Sequence, residues 1–424
     1  MPHPKAPWHY LLLLVLAGES VFILPFVLPR VFRPTVLDTF AVDNTQLGWC
    51  FSAYGFVALA AYLFGGPLAD RLPPRRLMAV GLWSTALGGL LLATFPGYGA
   101  LRALYAYWGF TTIGLFWAPM IKATRLWGGA GRQGRAFGLL DGGRGLVGAL
   151  FGALGIWVFG AFLAAAPGAE TLAESRVALR QVILVSTGLI AVVGALVWRF
   201  LRAPGAAAEG ELRQRITRAQ VGLVLRLPAV RLLMVIILCA YTGYKVTDVF
   251  SLYARQVLGY DQLAAARVGS ALLFARPVVG LAIGLLADRT RITALLLASF
   301  GLAAAGAALF AAGVVTATAA GLFIFSTGLV ALGVYAARAL YFAVMAAGRI
   351  PLALTGTAVG LISLIGYTPD IFSGPLLGYF LDGWPGLAGQ RAVFALVVAF
   401  SLVGGAAAWR YDYLFGRGRG SKNL

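Results

Sequence analysis

The sequence predicts an all-α membrane protein: twelve transmembrane helices in two pseudo-symmetric six-helix bundles. Three observations predict it. Hydrophobic residues make up 60% of the 424 positions and charged residues 12%. That is too little charge to cover a soluble protein of this size, so much of the apolar material must face lipid. A spanning helix needs ~20 mainly apolar residues, and twelve such runs can be placed. Finally, a short charged stretch between the second and third runs returns between the eighth and ninth.

In the first half the runs fall at 10–30, 45–68, 76–95, 100–124, 135–165 and 179–201. The first begins near Tyr10 and continues to Leu28 without a small-residue cleavage site, so it reads as a retained helix rather than a signal peptide. Glu19 lies about 14 Å along it, at 1.5 Å per residue. An ionisable group at mid-membrane costs at least ~2.5 kcal/mol. Glu19 is therefore either a proton-coupling acid that titrates as its surroundings turn wet and dry, or a structural acid paired with a base such as Lys245. The second run carries Cys50, which with Cys239 reads as packing rather than a disulfide or metal site. Lys122 and Arg125 end the fourth run, where anchoring at the interface is as good a reading as binding. In the fifth, Asp141 and Arg144 are three apart in a run containing Gly138, Gly142, Gly143, Gly145 and Gly148, whose small size permits close helix contact. Asp141 reads as a gating or structural group, and Arg144 lies deeper, toward a solute.

Residues 203–226 are rich in Ala, Gly, Glu and Arg and contain no spanning run. They read as a cytoplasmic linker between bundles at 1–202 and 227–424. The second-half runs fall at 228–256, 264–287, 292–313, 317–346, 354–381 and 390–414. Tyr241, Lys245 and Asp248 share one face of the seventh. Either Lys245 and Asp248 neutralise each other, or Lys245 meets an anionic solute group while Tyr241 and Tyr244 line its path. Arg276 precedes Pro277, and Arg338 follows Tyr335; each either snorkels or pairs with Asp370 or Asp248. Asp370 follows Pro369 at an expected kink, close to Tyr367.

Arginines set the orientation. With the N-terminus inside, the inner loops and termini hold Arg71, Arg75, Arg76, Arg132, Arg135, Arg289, Arg291, Arg349 and a basic linker and tail. The outer loops hold a sparser set that includes Arg30, Arg33, Arg102 and Arg255. Both termini are therefore expected in the cytoplasm. The net charge of +19 reads as membrane orientation, since no segment forms a basic soluble face for nucleic acid.

Internal repetition supports the two halves. Gly66-Pro67-Leu68-Ala69-Asp70-Arg71 returns as Gly284-Leu285-Leu286-Ala287-Asp288-Arg289, an offset of 218, and Gly134–Leu140 matches Gly356–Ile362 at an offset of 222. In the first copy Asp70 can accept from a helix N-terminus, while Arg71, Arg75 and Arg76 stay with water and headgroups. The stretch is either a topology signal or a cytoplasmic latch. Under the latch reading Asp70, Arg71, Arg75, Asp141, Asp288 and Arg289 are gating residues.

With its following basic residues, this stretch resembles the signature of the major facilitator superfamily, Gly-x-x-x-Asp-Arg-x-Gly-Arg-Arg. Gly66, Asp70, Arg71, Arg75 and Arg76 match, and Pro74 stands where the second glycine is usual. Trp117–Arg125, Gly138–Gly145 and Gly366–Phe372 are similar to the YihN-like bacterial inner-membrane branch near the organophosphate antiporters. That resemblance implies a small polar or anionic solute. It also implies basic residues on the first and seventh helices; Lys245 fits the seventh, and the first offers Glu19.

No nucleotide-binding loop, metal-ligand cluster or nucleophile–base pattern is present in the sequence, so an ATP-driven pump and an enzyme are not expected, nor is a cofactor. The expectation is a monomeric, multi-pass secondary transporter of the bacterial inner membrane. It moves a small polar or anionic organic solute by alternating access, coupled to protons; proton-driven efflux of amphipathic compounds or drugs is the alternative. Lys245, Arg144, Tyr241, Arg338 and Tyr367 are expected to bind solute, and Glu19, Asp248 and Asp370 to couple protons.

Overall fold

A computed structural model describes residues 8–128, 133–164, 171–201, 218–287, 289–341, 343–348 and 355–416. Among them no strand occurs, and helices take up almost all of the described residues. Seven helices are individually long and apolar enough to cross a membrane; Trp8–Ser20 with Ile23–Val31, bent by 44°, makes an eighth. The other four expected spans coincide with Asn44–Arg71, Pro74–Leu92, the run 98–128 and the pair Thr355–Gly366 and Pro369–Gly383. The run 98–128 is interrupted by a π-helical stretch at Phe110–Trp117, and the pair breaks before Pro369. Pro369, which lacks an N–H to continue the preceding helix, sits at the first helical position of the next, the place where proline is tolerated.

Contacts divide the chain into two compact units. One comprises Met1–Glu211 with Asp248–Pro277, and the other Leu212–Thr247 with Val278–Leu424.

In the first unit, reciprocal side-chain caps start two of the helices. Asp43 accepts from Gln46 N at 2.6 Å while Gln46 accepts from Asp43 N at 3.2 Å, and Thr171 and Glu174 exchange the same pair of bonds. Each box satisfies two N–H groups that helix geometry leaves open. Glycine then sets how closely helices approach. A Cβ on Gly109 would stand 2.5 Å from the Tyr54 carbonyl, so Tyr98–Gly109 lies against Asn44–Arg71 backbone to backbone. The fully buried Trp108 fills the neighbouring space and donates Nε1 to the Thr85 carbonyl at 3.1 Å.

The second unit uses the same device. A Cβ on Gly306 would lie 2.8 Å from both the Ser326 carbonyl and the Val330 nitrogen, which brings Ile292–Ala311 against Ala320–Leu340. Phe310 stacks on Phe394 with centroids 4.3 Å apart, joining Leu387–Tyr411 to them. At the far end of that helix Thr293 donates to Asp412, whose other oxygen lies 3.7 Å from Arg291.

Candidate functional site

Among the described residues, three buried collections of charged side chains recruit expected site residues, two in the first unit and one in the second. Asp141, Arg144 and Gly148 lie on one face of Gln133–Ala164. A Cβ on Gly148 would touch Glu19 at 3.1 Å, and one on Gly18 would touch the Arg144 stem at 3.1 Å. Both glycines therefore let the helices Trp8–Ser20 and Gln133–Ala164 come close enough for their charged residues to meet. Arg144 donates Nε to the Gly18 carbonyl at 3.0 Å and brings Nη2 to 3.2 Å from Glu19. Arg276 lies 3.7 Å from the other Glu19 oxygen and 3.3 Å from Asp141. Glu19 is only 5% exposed, so both its guanidinium neighbours act where water screens little. Asp141, by contrast, keeps more than half of its side chain exposed.

Arg144 also lies 5.3 Å from the ring centres of Phe22 and of Trp117. Both rings stand at irregular turns. Phe22 immediately precedes the π-helical Ile23–Val27, and Trp117 ends the π-helical Phe110–Trp117. The wider π turn re-aims side chains relative to an ordinary helix. A guanidinium over two ring faces gains cation–π attraction as well as its ion pair.

The second place in this unit is Arg30 with Asp248, each 4% exposed. Arg30 Nε donates to Asp248 Oδ1, and Ser251 donates to the Arg30 carbonyl at 3.1 Å. Arg30 was expected in an outer loop; it is buried instead. Nearby, Thr35 donates to Gln262 at 3.1 Å and Arg33 to Asn44 at 3.1 Å.

In the second unit, Lys245 Nζ lies 3.2 Å from Asp370 Oδ1, and Tyr241, one turn earlier on the same helix, donates its hydroxyl to both Asp370 oxygens at 3.0 and 3.2 Å. Lys245 is 4% exposed, while Asp370 is partly open. Arg338 lies over the Tyr244 ring at 4.1 Å and the Tyr241 ring at 5.6 Å. Tyr367 meets Tyr241 edge-on at 4.9 Å, and its hydroxyl lies 3.2 Å from that of Tyr341. Lys245, Tyr241, Asp370, Arg338 and Tyr367, expected from the sequence, are thus neighbours. The arrangement is chemically an exchangeable one, an ammonium shared with a carboxylate and bordered by phenol rings.

Of the residues expected to gate, Arg71 and Arg289 are exposed, and Arg75 lies 6.0 Å from the Trp198 ring. Asp288 and the side chain of Asp70 lie outside the described residues. Among the described residues no group of three or more His, Cys, Asp or Glu side chains forms a metal site. Two residues gain importance that sequence reasoning did not give them. Arg276, expected to snorkel or to pair with Asp370 or Asp248, meets Glu19 and Asp141, and Arg30, expected in an outer loop, meets Asp248; Asp141 and Asp248 are 135 and 218 positions distant, beyond any local pattern.

The comparisons agree with this architecture. Inner membrane protein YqcE of Escherichia coli (strain K12) is 26% identical over 399 residues, covering 92% of this chain and 91% of that protein. Inner membrane protein YihN of the same organism is 24% identical over 408 residues, covering 94% of each. A crystal structure of a bacterial homolog of the human lysosomal transporter Spinster, inward-facing and unoccupied, has a TM-score of 0.72 at 18% identity, with 98% of both chains covered; at that identity the likeness shows the fold. The Major Facilitator Superfamily model matches residues 11–373, and the chain belongs to that superfamily, whose members are membrane transport proteins rather than enzymes.

Proposed function

We propose that this protein is a secondary active transporter of the inner membrane that moves a small polar or anionic organic solute by alternating access, coupled to protons. The relatives named above, both inner membrane proteins, support the location. The observation that carries the reading is the Lys245–Asp370 contact at 3.2 Å, with Tyr241 donating to the same carboxylate. Lys245 is buried and Asp370 partly open, so a proton arriving from water meets the acid before the base.

In the proposed cycle a proton taken up by Asp370 weakens its hold on Lys245. The freed ammonium then accepts the anionic group of the solute, and the tyrosine rings contact its organic part. Loss of the proton on the other side restores the Lys245–Asp370 pair and expels the solute. Proton and anion are thereby linked through one base, which cannot hold two carboxylates equally well at once. Glu19 and Asp248 have a different place in this proposal. Each lies against buried guanidinium groups, which a neutral carboxyl would leave without their charge partner.

The test is a thermal-shift screen of the purified protein with gluconate, glycerol phosphate and an amphipathic cation. Stabilisation by one of the anions is expected, with loss of that stabilisation in Lys245→Ala. An anion that stabilises Lys245→Ala as well as the native protein would reject this base as the solute contact, and stabilisation by the cation alone would favour export of amphipathic compounds.

A further inference from the structure

The Arg144 guanidinium has one terminal nitrogen that none of the described residues engages. Its Nε donates to Gly18, its Nη2 faces Glu19, and its faces lie near Phe22 and Trp117. Its Nη1 has no hydrogen-bond or ion-pair partner among the described residues. The contact with Glu19 is itself one of charge without hydrogen-bond alignment, since Glu19 Oε2 is a buried atom with no hydrogen-bond partner. Arg144 is only 9% exposed. Nη1 is not among the buried atoms left without a partner, so the little exposure this side chain keeps includes a donor open to water or to a ligand.

The rings beside it are only half-buried. They meet each other edge-to-face at 67°, with centres 6.1 Å apart, and so form a partly open apolar border to a fixed cation. Four separate features hold this geometry: the glycines at 18 and 148, and the two π-helical turns. The glycines bring Arg144 to Glu19; the π-helical turns, which set the two rings, are not needed for that ion pair.

We propose that Arg144 is a solute contact separate from Lys245, one that takes a carboxylate oxygen on Nη1 while the flat apolar part of the solute lies against Phe22 and Trp117. The ligand class is an aromatic or similarly flat monocarboxylate. The proposal names the substrate class of the transporter proposed above and rests on that reading, but it uses a different base and a different set of side chains.

The experiment measures binding of benzoate and of acetate to the purified full-length protein by calorimetry, alongside Arg144→Lys, Phe22→Leu and Lys245→Ala. The lysine keeps the positive charge near Glu19 but has no second terminal amine. Benzoate should bind about tenfold more weakly to Arg144→Lys, the scale of one charge-assisted hydrogen bond. Phe22→Leu, which keeps an apolar side chain and preserves the fold, should weaken benzoate several-fold and leave acetate unchanged.

Equal benzoate affinity in the native protein and in Arg144→Lys would overturn the proposal, as would acetate binding as tightly as benzoate. If Arg144→Lys does not fold, the Phe22→Leu comparison decides. Proton-driven flux in proteoliposomes keeps the two readings apart. Flux that depends on Lys245, together with benzoate binding indifferent to Arg144 and Phe22, removes this contact alone. Benzoate binding that depends on Arg144 without any proton-driven flux removes the transport reading and leaves a binding site.

Discussion

Arg30 and Asp248 stand 218 positions apart and form a buried ion pair. The same spacing separates Asp70 from Asp288 in the repeated loop stretch. The equal spacing matches one register of the sequence repeat, with opposite charges at its two positions.

Removing one member of such a pair leaves a buried charge without its partner, a loss of about 3–5 kcal/mol. Arg30→Ala and Asp248→Ala should each lower the melting temperature of the detergent-purified protein markedly. The exchange Arg30→Asp with Asp248→Arg should recover much of the loss, because it keeps one charge of each sign at the contact. Melting followed by fluorescence-detected size exclusion checks this; a double variant no better than the singles would show that the surroundings, not the pair, set the charges.

The repeat is also visible in packing. Gly88 and Gly306 are 218 positions apart, and each lies where its helix meets the next one in the chain: Gly88 against Trp108 and Leu104, Gly306 against backbone atoms of Ser326 and Val330. Backbone cannot swing aside as a side chain can. Gly306→Ala should therefore destabilise by about 1–3 kcal/mol. Gly301→Ala, on the same helix with open space at its Cβ, should be neutral or slightly stabilising, since alanine is the better helix former. Thermal melts of the two variants side by side make the comparison.

These particulars show which parts of the molecule a sequence carries. Apolar runs and recurring spacings are local or periodic signals, so the spans and the duplication could be read directly. Side-chain partners across helices were harder. Lys245 and Asp248, three apart, suggest a self-neutralising pair on one helical face. The helix Pro228–Val246 gives way to a 3-10 turn at Thr247–Val249, which changes the angular step per residue. Lys245 meets Asp370, and Asp248 meets Arg30. The polar and aromatic residue types of the second unit were legible because tyrosine and lysine are conspicuous in apolar runs. The sandwich at Arg144 was not, because π-helical turns leave no simple periodicity.

Proton coupling through Asp370 predicts a specific dissociation of activities. Asp370→Asn keeps a group that can accept from Tyr241 but cannot exchange a proton. Solute counterflow in proteoliposomes without a pH gradient should persist within a few-fold of the native rate, whereas accumulation driven by an imposed pH gradient should disappear. Accumulation at the native level in this variant would place the coupling proton elsewhere.

Glu19 allows the two roles open to a buried acid to be told apart. It lies 3.2 Å from Arg144 and 3.7 Å from Arg276, and Gly148 leaves just enough room for its side chain. Glu19→Gln is close in shape, so its effect is one of charge. If the carboxylate serves to balance two buried guanidinium groups, the variant should lose several degrees of melting temperature, the effect of breaking a buried pair. Its residual transport should remain coupled to the pH gradient. Arg144→Gln in the same background should then return part of the lost stability, because Glu19 is the ion-pair partner of Arg144 among the described residues. The opposite pattern, native stability with coupling abolished, would make Glu19 the proton carrier. The melting curve and the gradient-driven flux, measured on one preparation, decide between them.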